Sequence, residues 1–577
     1  MEIDFNILVG GEAGQGVQSV GAILSRTLAY GGYHVFADQD YESRVRGGHN
    51  FFRVRVKDTP VLAVSPDIDI LVALNRETVS LHEKELKKSG VIIHDPDETK
   101  LESRGPNFIS VPLNKLAEQA AQNKLMANTV AVGAVLGLFN YDFDLLAFIL
   151  KGEFSRHGEA VVNENVNAAR AGYDFTRQIA AESDIAPLQP RIGNEHRMVL
   201  NGNEALCLGA IAGGCKFLAG YPMTPSSPIL EFMADKGRQY GVVGLHVEDE
   251  ISAMNMAVGA GYAGLRSMIA TSGGGFALMV EALALAGMTE TPVVAVLGQR
   301  PGPATGLPTR TEQAELWFAM HAGHGEFPRA VLAPATAAGA FWSAVRAFNL
   351  AEKYQTPVII LTDHHLASSY STVDIFDLSR VKIERGNLLS VEQSQKMTDY
   401  KRHLVTESGI SPRALPGLGK ALVVTDSDEH DEAGHMIEDA PTRTAQVKKR
   451  LRKIAGLRGD MALPEMRAAH GSELTLIGWG STFGAIEEAA SMLAQEDRPV
   501  NTIHFSEVWP FPNDGISAAM RKSRRNVTIE GNATGQMAKL IRRETGIKID
   551  ATISKFDGRP FSPQEIVTRL KTEVGTW

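Results

Sequence analysis

Three acids open the most chemically suggestive stretch of the chain. His246-Val-Glu248-Asp249-Glu250 runs directly into the small-residue segment Ile251 to Gly264, ISAMNMAVGAGYAG. Small residues let another element or subunit approach closely. A carboxylate carried into such an apolar interface has a raised pKa, which suits a proton relay. The same acids are also what the positive end of a helix dipole favours with no chemistry attached. A second stretch, YPMTPSSP from Tyr221 to Pro228, sets Thr224, Ser226 and Ser227 among three prolines. Those hydroxyls could bind a carboxylate or cap the helix that follows. A third, TSGGGFALM from Thr271 and GQRPGPATGLPTRTEQAEL from Gln299, holds more glycine and proline than a plain loop requires, and it carries Arg300 and Arg310. Arginine forks match carboxylates in pairs of bonds, although surface arginines are often merely solvated.

The fourth stretch is GGEAGQG, Gly10 to Gly16. Gly11 and Gly16 have the spacing of a phosphate-cradling loop, but Val17 and Gln18 stand where Lys and Ser/Thr are needed, so a nucleoside-triphosphatase is excluded. Ala13 occupies the second glycine position of the dinucleotide fingerprint, which fails as well. Either a phosphate-bearing ligand or a ligand-free tight turn is left. Arg44, Arg46 and His49 follow in YESRVRGGHN and are suited to phosphate recognition. Other signals are weaker. His430 and His435 lie five apart, not at the helical zinc spacing. Lys448-Lys449-Arg450 reads as a solvated helix face. Cys207 and Cys215 are the sole cysteines, too few for four-thiolate cluster ligation, and are expected as buried free thiols.

These residues need elements to hold them. Strand Phe5–Val9, the glycine turn, a helix over 17–30 and strand Tyr33–Ala37 give β–turn–α–β order, the sign of a mostly parallel sheet. The expected domains are 1–190 with the glycine loop, a second α/β domain at 195–385, a charged connecting segment with one long solvated helix at 386–465, and a smaller α/β domain at 466–577. Strands LHVED, SMIATS, PVVAVLG, RAVLA and PVIILTD mark the second domain; ELTLIGWG, VNTIHFSEV, NVTIEGN and IDATISK mark the last. Hydrophobic residues at 44% and charged residues at 22% fit a soluble globular protein. A net charge of -9 argues against nucleic-acid or anionic-membrane partners. The acidic N-terminus is no signal peptide, the longest apolar run is broken by Glu281, and the low cysteine count suits a reducing cytoplasm.

Taken in order, YPMTPSS, VEDEISAMNMAVGA, ATSGGGFALMVEALALAG, GPATGLPTRTEQ and EGNATGQ resemble the α subunit of 2-oxoacid:ferredoxin oxidoreductases. GGEAGQGV and YESRVRGGHNFFRVRV resemble the γ subunit of the same enzymes. The γ–α fusion is that of the two-subunit, 2-oxoglutarate-type members, and the resemblance spans nearly the whole chain. It implies three α/β domains: γ-type, thiamine-diphosphate-fold pyrimidine-type, and transketolase-C-terminal-like. The implied reaction joins a 2-oxoacid, coenzyme A and oxidised ferredoxin into acyl-CoA, carbon dioxide and reduced ferredoxin, or runs in reverse as a carboxylation. In the family a cysteine-rich β subunit carries the GDG motif, the magnesium and the 4Fe-4S cluster. This chain has two cysteines and no GDG, so the resemblance implies one half of a shared site, inert alone, in a dimer of αβ heterodimers.

By the same resemblance, Glu250 matches the glutamate that bonds the aminopyrimidine ring of thiamine diphosphate, with Glu248 as the fallback. Thr224 and Arg300 match residues at the substrate carboxylate. Arg310 is expected to meet a second carboxylate on a longer substrate such as 2-oxoglutarate. Gly11, Gly14 and Gly16, with Arg44 and Arg46, are expected to contact coenzyme A. One departure stands out: the chain reads TDSDEHDE at Thr425 to Glu432, where many 2-oxoglutarate-type members read TGLEHDE. Two other readings are a transketolase-like thiamine enzyme without redox chemistry and a CoA- or nucleotide-binding regulatory protein.

Overall fold

The computed structural model describes residues 3–43, 47–101, 105, 107–180, 185–191, 193, 197–513 and 515–575. The chain divides into two compact units. The first comprises Met1–Leu200, Ser369–Ile375 and Ser562–Gln564. Its eight-stranded sheet runs, edge to edge, Phe108–Ser110, Leu86–His94, Ile68–Ala73, Asp4–Ala13, Gly47–Lys57, His34–Asp40, Tyr370–Asp374 and Arg197–Asn201. The four strands from Phe108–Ser110 to Asp4–Ala13 are mutually parallel. Gly47–Lys57 is antiparallel to both its neighbours, and Tyr370–Asp374 is antiparallel to His34–Asp40.

The expected mostly parallel sheet is therefore mixed. The reason lies in FFRVRVK, where Phe52, Val54 and Val56 alternate inward and bury at 0–1% exposure. That period-two run forms a long strand beside the glycine loop. The unit's helices include Leu113–Ala121 and Ala127–Leu138. The second packs against Glu159–Ala180 at backbone contact: a side chain at Gly133 would strike the Ala169 carbonyl, and one at Gly172 the Val130 carbonyl.

The second unit comprises Asn201–Ser368, Phe376–Phe561 and Glu565–Trp577. It holds two sheets. One runs Glu507–Trp509, Ala330–Leu332, Pro357–Asp363, Val293–Gln299, Ser267–Thr271, Phe217–Gly220 and Val243–His246, all parallel except the first. The other runs Glu465–Arg467, Asn501–Phe505, Leu474–Trp479, Arg525–Glu530 and Ala551–Ser554. Glu507–Trp509 follows Asn501–Phe505 directly yet pairs with the other sheet, so one short stretch serves both. A continuous core joins them, with Ile269, Leu297 and Ile359 on one side and Trp479, Phe505 and Phe511 on the other.

The expected solvated helix is Ala440–Asp460, and it is not solvated along its whole girth. Lys449, Arg450 and Lys453 are buried, at 0–3% exposure. Lys449 and Lys453, one turn apart, both reach the buried Glu290 carboxylate, which also bonds His403 Nδ1 at 3.0 Å. Arg402 donates to the Glu290 carbonyl at 2.7 Å. A face buried by ion pairing carries no apolar periodicity, which is why the pattern reads as solvent-facing. The TDSDEHDE stretch belongs to the same structure. Glu429 takes two bonds from Arg450, and His430 lies over the His403 ring at 3.9 Å. Three residues stand in place of that Gly-Leu pair: Asp426 is half-buried, and Ser427 and Asp428 are exposed. Cys207 and Cys215 are free and buried, as expected. Among the described residues no helix is long and apolar enough to cross a membrane.

Candidate active site

In the parallel sheet of the second unit, each sequence motif leaves the carboxyl end of a strand. YPMTPSSP follows Phe217–Gly220, VEDE follows Val243–His246, SGGG follows Ser267–Thr271, and Arg300 follows Val293–Gln299. This end of an open parallel sheet is where ligands bind. Hydrogen bonds lock the loops together. Ser226 Oγ donates to the Thr271 carbonyl at 2.7 Å, and Asn203 Nδ2 to the Pro225 carbonyl at 2.9 Å. Arg300 Nη1 donates to the Thr224 carbonyl at 2.7 Å. Thr224 and Arg300 thus come together, through the backbone of the former; the Thr224 hydroxyl bonds no described residue. Ser226 precedes helix Ser227–Asp235 without capping it, its hydroxyl being spent on Thr271.

Of the three acids, Asp249 is the N-cap of helix Glu250–Tyr262, accepting from the Ser252 amide at 2.7 Å. Glu248 is exposed, whereas Glu250 is 4% exposed. Glu250 Oε1 is buried with no hydrogen-bond partner. It lies over Gly275, where an added Cβ would come within 2.6 Å of it and overlap the Thr271 hydroxyl. Gly274 opens onto free space, with nothing within 4 Å of a Cβ placed there. The glycine triplet that starts helix Gly273–Met288 therefore makes room for a carboxyl and leaves a gap beside it.

Sequence reasoning missed Glu315. Its amide donates to Gln299 Oε1 at 3.0 Å, its Oε1 fills the place a Cβ on Gly273 would take, and its Oε2 is buried without a partner. Burial pushes this carboxyl up to about 8, with Arg300 opposing the rise and Glu312 adding to it. Burial draws the half-buried Arg300 guanidinium down, and Glu315 opposes that. The signal available in sequence was an acid between a glycine- and proline-rich loop and the apolar helix Leu316–His321. Arg310 bonds the Thr309 carbonyl, and its stem packs on Gly558. Gln313 fastens this loop to the smaller sheet, bonding the Trp479 carbonyl at 2.9 Å and both backbone groups of Gly531. EGNATGQ is a capping device, with Glu530 accepting from the Met537 and Ala538 amides.

In the first unit, Gly14 and Gly16 have φ of 97° and 77°, which glycine alone adopts without strain. Gln15 Oε1 takes the Glu12 amide at 2.8 Å, so one loop donor is already used. Gly11 belongs to the strand and packs on Gln15. Arg44 and Arg46 lie outside the described residues. Sequence reasoning also missed a chain beside Gly10: Glu85 bonds His82 Nδ1 at 3.0 Å, and His82 Nε2 meets His49 Nε2 at 2.8 Å. Burial pushes His49 down to about 4.

Family models match three stretches: "Pyruvate ferredoxin/flavodoxin oxidoreductase" at residues 6–175, "Pyruvate flavodoxin/ferredoxin oxidoreductase, thiamine diP-bdg" at 208–449, and "Transketolase, C-terminal domain" at 465–566. The chain is 32% identical to 2-oxoacid:ferredoxin oxidoreductase 2, subunit alpha, of Aeropyrum pernix, over 100% of this chain and 98% of that one. It belongs to the 2-oxoacid:ferredoxin oxidoreductase α-subunit family. Membership makes it a subunit of an oxidoreductase, built on the three expected α/β folds. A family member from Mycobacterium tuberculosis, 2-oxoglutarate oxidoreductase subunit KorA, is 29% identical over 97% of this chain and 90% of its own. A solved structure, 2-oxoglutarate:ferredoxin oxidoreductase from Magnetococcus marinus with 2-oxoglutarate, coenzyme A and succinyl-CoA bound, matches with a TM-score of 0.90 and 31% identity, covering 99% of each chain.

Proposed function

We propose that this α subunit acts on 2-oxoglutarate, joining its decarboxylated residue to coenzyme A and passing electrons to ferredoxin, or running the reverse carboxylation. The observation that carries the reading is the buried Glu250 carboxyl with an unpartnered oxygen over Gly275. A buried polar atom without a partner calls for a ligand donor or acceptor. The aminopyrimidine ring of thiamine diphosphate fits that need, and Glu250 is the residue that would hold it. When bound, the cofactor supplies the carbanion-stabilising chemistry, while the protein orients and tunes.

This chain's own residues divide the remaining work. Glu250 bonds the ring and sets its tautomer. Arg300, steadied by the Thr224 carbonyl, presents its remaining donors to the substrate's 2-oxo-acid carboxylate. The Thr224 hydroxyl offers that carboxylate a further donor, and Arg310 takes the distal carboxylate. The Gly11–Gly16 loop, with Arg44 and Arg46, contacts coenzyme A. Domain limits are taken as 1–190, 195–385, 386–465 and 466–577. A cysteine-rich β subunit holds the magnesium and 4Fe-4S cluster, in a dimer of αβ heterodimers in the cytoplasm. Support comes from the 2-oxoglutarate-named relatives and the fused layout.

The test is co-expression with a cysteine-rich β subunit and a panel of 2-oxoacids. CoA-dependent reduction of a viologen dye is expected, fastest with 2-oxoglutarate. Preference for pyruvate, branched-chain or aryl substrates would overturn the substrate assignment. A complex that forms and reduces dye with no 2-oxoacid would overturn the activity, and ketol transfer without an acceptor would point to the transketolase-like reading.

A further inference from the structure

We propose that Glu315 is a positioning residue that keeps its proton beside Arg300, so that the guanidinium stands as the uncompensated cation a substrate carboxylate meets. The inference rests on the reading of Arg300 given above and goes beyond it by naming the group that controls its charge. Three observations place Glu315 there. Its amide is tied to Gln299, the residue before Arg300, and Gln299 is itself tied to the Thr362 carbonyl at 3.0 Å. Its carboxyl is pressed into the Cβ space of Gly273, on the same first helical turn that seats Glu250 over Gly275. Its Oε2 is buried and bonded to nothing, the amides of that turn included.

Among the described residues no cation lies within ion-pair distance of Glu315. Glu315 is half-buried, with Oε2 fully enclosed, and an ionised carboxylate enclosed without a cation or a donor is disfavoured, so the neutral form is favoured. The charged groups around it are few: Arg300 at the strand end and Glu312 on its own loop, which the electrostatics couple to it, and Glu250 across the turn. Helix Gly273–Met288 brings no acid to its first turn, and helix Leu316–His321 contributes only His321 in its last. Burial, the main cause, holds the carboxyl at about 8.

The sign follows. Below that value Glu315 is neutral and Arg300 attracts the substrate carboxylate. Above it Glu315 is an anion that competes for the same guanidinium. Substrate affinity is therefore full in mildly acidic and neutral solution and is lost as pH rises through about 8. A salt-bridge partner for Arg300, the alternative role, would already be ionised at about pH 6.5 and would leave affinity flat across this range.

The experiment uses the assembled αβ complex and 2-hydroxyglutarate, an unreactive probe that keeps both carboxylates. Calorimetric titration from pH 6.5 to 9.5 should show the Kd of the unaltered complex rising by roughly tenfold per pH unit above the transition. Glu315→Gln, neutral throughout, should match it within about twofold at pH 7 and stay flat above, since one bound proton is what the linkage reads. Equal pH dependence in both proteins, or a flat profile in both, would overturn the proposal. Infrared difference spectroscopy at pH 7 gives a second readout that does not need the probe: a protonated-carboxyl band present in the unaltered complex and missing in Glu315→Gln. Absence of that band would overturn the proposal by itself. A band without probe binding at any pH would overturn the Arg300 reading on which the proposal stands.

Discussion

Glu250 and Glu315 are carboxyls on either side of one helical turn, and their surroundings part their tasks. Glu250 is buried with one unpartnered oxygen, and in the proposed reading it is the acid that bonds the cofactor ring. Glu250→Gln should preserve assembly and lower turnover at least ~10²-fold, the scale of a lost acid–base group. Steady-state dye reduction by the purified complex measures it, and near-normal turnover would take the role from Glu250. The acid cluster was legible in sequence, but the choice between Glu248 and Glu250 was not. Two residues of spacing in a loop do not say which one turns inward. That follows from Asp249 taking the cap, which sets Glu250 as the first helical residue and leaves Glu248 outside. Glu315 was illegible because its isolation is created by Gly273, a residue on another loop.

At the scale of elements, the glycine triplet and the helix Ala440–Asp460 make separate predictions. In a helix, Gly→Ala alone stabilises by about 1 kcal/mol. Gly274→Ala should realise that gain in thermal denaturation, since its Cβ meets open space. Gly275→Ala should instead destabilise by ~1–3 kcal/mol, because its Cβ collides with Glu250 and Thr271. It should also depress turnover by dislodging the carboxyl. For the long helix, Glu290→Gln strands Lys449 and Lys453 in the interior and should cost ~3–5 kcal/mol in urea unfolding. Burial alone would raise the Glu290 carboxyl, but the two lysines and His403 hold it well below 4.5. Its stabilising contribution is therefore complete above 4.5 and lost as pH falls through the depressed folded value. The acid limb of the stability curve should be shallower in Glu290→Gln. Short continuous apolar runs alternating with helical stretches made the parallel strands readable. The Ala440–Asp460 contacts were not, because they are charge against charge and have no hydropathic period.

For the whole molecule, the chain purified alone should show no 2-oxoacid-dependent dye reduction, and the β subunit should restore it. Activity of the isolated chain would contradict a shared site. The three-fold layout was readable from strand order and motif order. The mixed sheet of the first unit was not: Gly47–Lys57 runs antiparallel to both neighbours, and Tyr370–Asp374 has a local pattern that says nothing of a partner so distant in sequence. A fragment ending at Leu200 should accordingly aggregate on standing, because His34–Asp40 would present an unpaired edge; light scattering would detect it. The same strand has a meaning for how the polypeptide is made. At ~5–20 residues per second, Tyr370–Asp374 leaves the ribosome roughly 17–66 s after the strand it must join. Through that interval the nascent N-terminal layer waits with one slot empty, so carrying both units on one translation product also sets the time at which the first of them can be finished.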